Sequence, residues 1–433
     1  MGQLFLIALR NLLQHRRRTV LLGGALAGVT ALLIILTGLT TGVRETMINS
    51  ATTLMTGHVN VAGFYKPTSG QSAPVVTEYH KVLEDVKRVV PEIDYVAERG
   101  RGWGKLIGDG GSIQVGMAGI DITREPGFPK VVQLVAGDLK GLEKPGTILI
   151  FEDQAKRLEA SVGDTLTLST STTRGIANTA DVLVVAIARN IGFLSMWNVY
   201  IPAPTLRNLY QINEDTTGAL QVYIKDTSKT REIAERLRVE LAKSDYRVMD
   251  ANSQPFWMKF EPVNREDWTG QKLDVTTWED ELAFMTWTLS ALDGLTAMLI
   301  SILMVIIVVG IMNTMWIAVR ERTREIGTLR AIGMQRGRVM AMFLIEAGLL
   351  GVLGTVGGVL IGILTSLLLN SAGIPVPLAA RIFLLSETLW FSIGTFWPIT
   401  AVILISVVTT LAAIWPAWRA ARLKPVTAMH HIG

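Results

Sequence analysis

Four stretches of this chain, 19–43, 294–319, 347–380 and 388–418, run without one charged side chain. A helix rising about 1.5 Å per residue needs roughly 20 apolar residues to cross the hydrocarbon of a bilayer, and all four are long enough. The whole chain of 433 residues is only 18% charged, too apolar for an ordinary soluble enzyme and outside the disordered and collagen-like classes. Pro375 and Pro377 stop the third run's helix near Asn370, and the fourth starts near Trp390 after a short hairpin loop. The expected spans are 19–42, 291–319, 343–369 and 390–415. The first is read as a retained anchor. Although His15-Arg16-Arg17-Arg18 resembles a signal peptide's basic start, the apolar stretch exceeds the roughly 7–15 residues of such a segment, and the small pair Ala25 and Ala27 lies inside it.

Orientation follows the basic residues beside the spans. Arg10, Arg16, Arg17 and Arg18 precede the first. Arg320, Arg322, Arg324, Arg330, Arg336 and Arg338 lie between the second and third, and Arg419, Arg422 and Lys424 follow the fourth. Only Glu321 and Glu325 oppose them. The expectation is a cytoplasmic N-terminal segment (1–18), a cytoplasmic loop (320–342) and a cytoplasmic tail (416–433), with 43–290 and the short loop 370–389 outside. The segment Arg44–Asp293 carries 27 basic and 33 acidic residues, a net −6 that the overall +4 hides. The pI near 9.2 therefore reflects charge at the inner membrane face and calls for no nucleic-acid partner.

The outer segment changes texture, to short β-branched runs punctuated by glycine. Strands are expected at His58–Ala62, Ser112–Ile120, Thr147–Phe151, Thr165–Ser169, Val182–Ile187, Asn198–Ile201 and Leu220–Ile224. Helices are expected at Tyr79–Val89, Asp153–Leu158, Thr205–Tyr210 and Lys229–Ser244, the last with Ile233, Ala234, Leu237 and Leu241 on one side. This is an α+β domain large enough for two subdomains, held without disulfides because the chain has no cysteine. Gly163-Asp164-Thr165 reads as a turn and not as a metal loop, since no spaced set of carboxylates accompanies it. Pro255–Asp280 lacks periodicity and reads as the return path to the membrane, helical from Thr276 onward as a stalk. In Ile191–Trp197, the large apolar groups Phe193, Leu194, Met196 and Trp197 admit two readings: a buried strand edge, or an exposed contact for a partner or lipid-like cargo.

The cytoplasmic loop carries the most information. Alternating charges lead into Glu325, after which Ile326, Leu329 and Ile332 recur every three residues between Gly327 and Gly333. Such a short amphipathic helix rests in lipid headgroups or docks in a protein groove. The string RERTREIGTLRAIGM, with ALRNLLQHRRRT, EAGLLGVLGTVGGVLIG and PAWRAARLKPVTAMH, resembles the FtsX-like, MacB-like (type VII) permease family of ABC transporters. In the outer segment QVGMAGID, VAGDL and SVGDTLTL resemble its periplasmic domain more weakly.

The resemblance implies a membrane protein of four transmembrane helices with a large α+β MacB-type periplasmic domain between the first two, in the bacterial inner membrane. It makes Arg324, Glu325, Ile326, Gly327, Thr328, Leu329, Arg330, Ala331, Ile332, Gly333 and Met334 the coupling segment held by an ATPase, with Glu325 and Arg330 as polar contacts and Ile326, Leu329 and Ile332 as the buried side. No G-x-x-x-x-G-K-[ST] occurs, so ATP and Mg2+ are expected in a separate ATPase, two copies of which serve two permease chains; the layout is similar to lipoprotein-releasing LolC/LolE-type subunits. Three outputs stay open: extraction of lipoproteins or lipids, drug or peptide efflux with a periplasmic adaptor, and signalling to a cell-wall hydrolase.

Gly354, Gly358 and Gly362, and Gly24 and Gly28, are spaced for close helix packing, within the chain or between two copies. Glu346 is read as a structural partner of Arg338 or a neighbouring arginine. Trp287, Trp316, Trp390 and Trp415 read as interfacial anchors, and His430 and His431 as a solvated tail. No catalytic constellation and no metal set is visible.

Overall fold

The computed structural model describes residues 2–423 except 15, 378–379 and 382–383; the tail residues Lys424, His430 and His431 lie outside the described residues. The chain divides into a membrane unit (up to 44, 290–375 and from 388) and an outer unit (45–289 with 376–387).

In the membrane unit, four helices among the described residues are long and apolar enough to cross a bilayer. The first apolar run lies in Arg16–Ala51, preceded by the helix Gly2–Gln14; the second in Ala283–Glu321; the third in Arg336–Ala372. The fourth run gives Phe396–Ala412 followed by Ile414–Ala421. Helices therefore overrun the apolar stretches, because charged residues such as Arg44 and Glu45 are good helix formers and end a hydrophobic run without ending the helix. The fourth helix departs from the sequence expectation in the other direction, starting six residues after Trp390. The reason is a clasp. Asn370 accepts the Phe391 N–H at 2.8 Å and donates to the Phe391 carbonyl at 2.9 Å, while Ser392 N–H donates to the Gly38 carbonyl at 2.9 Å. Those backbone groups are satisfied without a helix. Leu26, Ile34, Ile311, Phe343, Val359 and Ile405 fill the shared core, and Leu32, Val305, Leu360 and Ile403 face outward, as helices do in lipid.

The outer unit is built on an eleven-stranded sheet. Its neighbours run Gly270–Thr277, Val59–Thr68, Ala219–Ile224, Ile93–Gly108, Gly111–Ile120, Asn198–Pro202, Thr147–Phe151, Ala177–Ala188 and Leu134–Gly137. Two cores divide it. Tyr79–Val89 and Thr230–Lys243 cover one half through Val82, Val86, Ile233 and Leu237. Glu152–Leu158 and Ala203–Tyr210 cover the other through Leu158, Leu206 and Leu209. The strand Ile93–Gly108 runs through both halves, pairing first with Ala219–Ile224 and then with Gly111–Ile120.

That strand is invisible to period-two reading because Gly100, Gly102 and Gly104 occupy alternate positions. An added Cβ would come within 2.6 Å of Leu206 at Gly100 and of Tyr210 at Gly102, so the covering helix sits directly on backbone. The reading of Pro255–Asp280 as an irregular return path is likewise corrected: it holds the short helix Phe260–Arg265, Gly270–Thr277 pairs antiparallel with Val59–Thr68, and the helix expected from Thr276 onward starts at Trp278, ends at Glu281 and resumes at Ala283. The strand's signal was masked because Lys272 and Asp274 interrupt the apolar residues; Asp274 is buried against Lys259 at 2.8 Å.

His58 supplies a pH test of this unit. Its Nδ1 accepts the Ile224 N–H at 3.1 Å beside the Tyr223 ring, and burial pushes its pKa below the ordinary 6.5. A depressed folded-state value means this contribution to stability is full above 6.5 and is lost as pH falls through the folded value. Wild-type protein should therefore melt progressively lower as pH drops below 6.5, with a shallower slope in His58→Asn; equal slopes in thermal melts would refute the assignment.

Candidate functional site

The segment expected to serve coupling contains the helix Thr323–Ala331, entered through Arg322, whose guanidinium is buried against Glu346 at 2.9 Å. Glu346 thus pairs with a neighbouring arginine, Arg322, one of the two kinds of partner expected for it. The helix ends where Gly333 takes φ +102°, open to glycine at little cost, with Met334 N–H returning to the Leu329 carbonyl at 3.0 Å and Gly333 N–H to Arg330 at 3.2 Å. Arg330 Nη1 donates to the Met334 carbonyl at 2.9 Å, so part of this arginine serves the helix end itself.

The expectation that Ile326, Leu329 and Ile332 share one buried side fails. Ile326 is 1% exposed in the chain's own core, Leu329 is half-buried, and Ile332 is 80% exposed. Three-residue steps turn only about 300° on a helix of 3.6 residues per turn, so two such steps carry Ile332 about 120° away from Ile326. The inner side packs against Ile414–Ala421, whose Ala417, Ala420 and Ala421 are buried in the same core. Arg324, Glu325, Thr328, Ala331 and Ile332 present the outer side. Gly327 is buried and Met334 half-buried. Nearby, Arg419 lies 5.1 Å over the Trp316 ring, and Trp316 meets Trp415 edge-on.

The two glycine sets separate. A Cβ at Gly358 would lie 2.5 Å from the Ala27 carbonyl oxygen, one at Gly362 2.8 Å from Ile34, and one at Gly354 2.9 Å from Leu26, so these three form the seat of the first helix. Among the described residues nothing lies within 4 Å of a Cβ at Gly24 or Gly28, which corrects the reading of them as packing positions inside the chain and leaves the reading between two copies untouched. Four-residue spacing fixes only that two glycines share a side, and here the first helix turns its Leu26, Ala27 and Thr30 side to the third.

In the outer unit, Thr52–Thr56 makes one π-helical turn following Ala51. Buried side chains take its carbonyls: Tyr223 Oη donates to Thr52 at 2.9 Å, Arg99 to Thr53 at 3.2 Å, Tyr200 Oη to Leu54 at 3.0 Å and Gln221 to Met55 at 2.5 Å. Arg99 is itself paired with Glu125 at 2.6 Å. The helix at Trp278 is fixed by Thr277 and Asp280 in a mutual cap. Beside this anchorage lies an apolar cavity of about 600 Å3. Phe193, Leu194 and Trp197 line it, so the two readings of their segment split by residue: Leu194 is 1% exposed, Phe193 stands edge-on to Phe284 at 4.5 Å, and Met196 and Trp197 are exposed.

The family models agree with this layout. The MacB-like periplasmic core domain matches residues 21–239 and the FtsX-like permease C-terminal domain matches 297–425. The chain belongs to the FtsX-like, MacB-like permease family. The macrolide export ATP-binding/permease protein MacB of Neisseria gonorrhoeae is 32% identical over 182 residues, 42% of this chain and 24% of that one. The lipoprotein-releasing system transmembrane protein LolC of Xylella fastidiosa is 25% identical over 163 residues, 36% of this chain and 40% of that one. The crystal structure of the periplasmic region of MacB from Actinobacillus actinomycetemcomitans is 15% identical, with TM-score 0.29, over 42% of this chain and 83% of that one. The permease thus spans well under half the length of these curated relatives.

The permease is a multi-pass inner-membrane protein with an α+β periplasmic domain. Sequence reasoning missed the groups that anchor the helix ends in that domain. Arg99, Gln221, Tyr200 and Tyr223 come from three strands, and only pairing brings them together. The one signal was polar residues inside otherwise apolar strands.

Proposed function

We propose that this permease couples ATP hydrolysis on a separate ABC ATPase to movement of its periplasmic domain, through the segment Arg324–Met334. The observation that carries the reading is the division of that helix: Ile326 ties its inner side to the permease core, while Glu325, Thr328 and Ile332 are left outward as a contact for another protein. A surface isoleucine beside exposed charges suits a groove with an apolar floor and polar rim. Both termini and the 320–342 loop are cytoplasmic in this reading, because the basic residues gather there.

Two ATPase copies and a second permease chain, identical or a paralogue, complete the assembly, with Gly24 and Gly28 available to the second chain. The helices Arg16–Ala51 and Ala283–Glu321 continue without a break past the apolar runs; the first leads into the carbonyl-anchored turn Thr52–Thr56, and the second follows the Thr277-capped helix Trp278–Glu281. A push at the coupling segment can therefore reach the periplasm as a helix displacement, with no charged path through the spans. Lipoprotein or lipid extraction fits the aromatic cavity; drug or peptide efflux is favoured instead by the MacB relatives.

Glu325→Lys should fold and assemble but lose roughly tenfold in the stimulation that the permease gives its ATPase, within the usual range of coupling energies. Measuring ATP hydrolysis of the reconstituted complex against ATPase alone checks it. Wild-type stimulation in this variant would refute the assignment.

A further inference from the structure

The periplasmic cavity contains a feature that aromatic packing alone does not require. Arg101 projects into it, its guanidinium carbon 3.9 Å over the Phe256 ring. Its one hydrogen bond among the described residues is a long one, 3.4 Å from Nη2 to Asn60 Oδ1. The carboxylates around it are engaged elsewhere. Glu125 holds Arg99 at 2.6 Å, and Asp274 holds Lys259 at 2.8 and 3.0 Å. Glu281 accepts from Thr276 Oγ1 at 2.8 Å and from the Phe256 N–H at 3.2 Å. A guanidinium offers five donors, and donors facing an apolar wall are costly unless something accepts them.

The wall around it is mostly apolar, with Trp103, Met117, Phe193, Trp197 and Phe284 and the polar side chains Arg99, Gln114 and Asn198 among its lining, and it encloses about 600 Å3, a volume suited to one small ligand. At the rim Trp197 and Trp257 are exposed beside Met196 and Met258, rings and thioethers that tolerate both water and alkyl chains.

We infer that this cavity binds a single-chain amphiphile with one anionic headgroup, the chain among the aromatic rings and the head on Arg101. Charge complementarity chooses this occupant. A cationic amphiphile would place like charge against Arg101, and a neutral one would accept its N–H groups only through weaker bonds without charge assistance. The inference deepens the proposed function by naming a cargo class, yet binding needs neither ATP nor the coupling segment, so either can fail alone.

The test uses the full chain in phosphatidylcholine nanodiscs with a diazirine-bearing palmitate as probe, labelled sites being mapped by mass spectrometry. Labelling should saturate at one probe per chain, map to the peptides holding Phe193–Trp197 and Phe256–Met258, and be competed by palmitate or hexadecyl phosphate but not by hexadecylammonium. Arg101→Gln should weaken labelling on the order of tenfold, the loss of one charge-assisted pair, while Arg101→Lys keeps most of it. If Arg101→Gln misfolds, the competition series on wild type still decides. Labelling that never saturates, that maps elsewhere, or that hexadecylammonium competes as well as palmitate overturns the inference.

Discussion

Glu125→Ala should lower the melting temperature of the periplasmic domain by about 10 °C. Glu125 and Arg99 are each 2% exposed, and the carboxylate is 2.6 Å from the guanidinium. Removing one partner of such a pair leaves a buried charge uncompensated, at a cost of about 3–5 kcal/mol, and each kcal/mol shifts the midpoint of a domain this size by roughly 2–4 °C. The loss reaches further than the pair, because Arg99 also holds the Thr53 carbonyl in the π-helical turn. Hydrogen exchange in 52–58 should accordingly rise in the same variant. The double change Arg99→Met with Glu125→Met should recover only part of the midpoint, since an apolar pair of similar volume needs no charge compensation but no longer donates to the Thr53 carbonyl. Thermal melts of the full chain check both. A shift under about 2 °C in Glu125→Ala would mean the pair is solvated in solution.

Gly358→Leu should abolish accumulation of monodisperse protein. Even a single Cβ there would stand 2.5 Å from the Ala27 carbonyl oxygen and 2.6 Å from Thr30, where backbone cannot yield. In lipid, helices associate through close packing and not through hydrophobic exclusion, so separating the first and third helices forfeits the contact that Gly354 and Gly362 continue. The control is internal to the same helix: Gly357 has nothing within 4 Å of its Cβ, and Gly357→Leu should express and elute as wild type. Size-exclusion profiles of the two variants separate a packing defect from a general intolerance of leucine. Equal profiles would contradict the seat described for the first helix.

How much of this was legible beforehand depends on the range of the interactions. The four spans could be read because hydrocarbon imposes one requirement, length without charge, on each run independently. Tyr79–Val89 could be read because its burial repeats with the helical period, and Thr147–Phe151 because it is a short unbroken apolar run, buried throughout. Where a neighbour determines the residue, the signal vanished. Gly100 and Gly102 look like a loop until Leu206 and Tyr210 are seen lying on them, and Asp274 looks solvent-facing until Lys259 is placed beside it. The start of the fourth helix depended on Asn370, which clasps Phe391, 21 residues away in sequence. In the segment 324–334, composition drew attention to a short helix but a three-residue period misjudged its sides, and Ile332 is the residue whose place changed most.

That residue also offers the most direct test. The chain has no cysteine, so Ile332→Cys supplies a single thiol at the most exposed apolar position of the segment. Labelling by a membrane-impermeant maleimide should be rapid from the cytoplasmic side of inverted vesicles, absent from the periplasmic side, and suppressed when the cognate ATPase is added. Labelling from the periplasmic side, or an unchanged rate with saturating ATPase bound, would contradict the account.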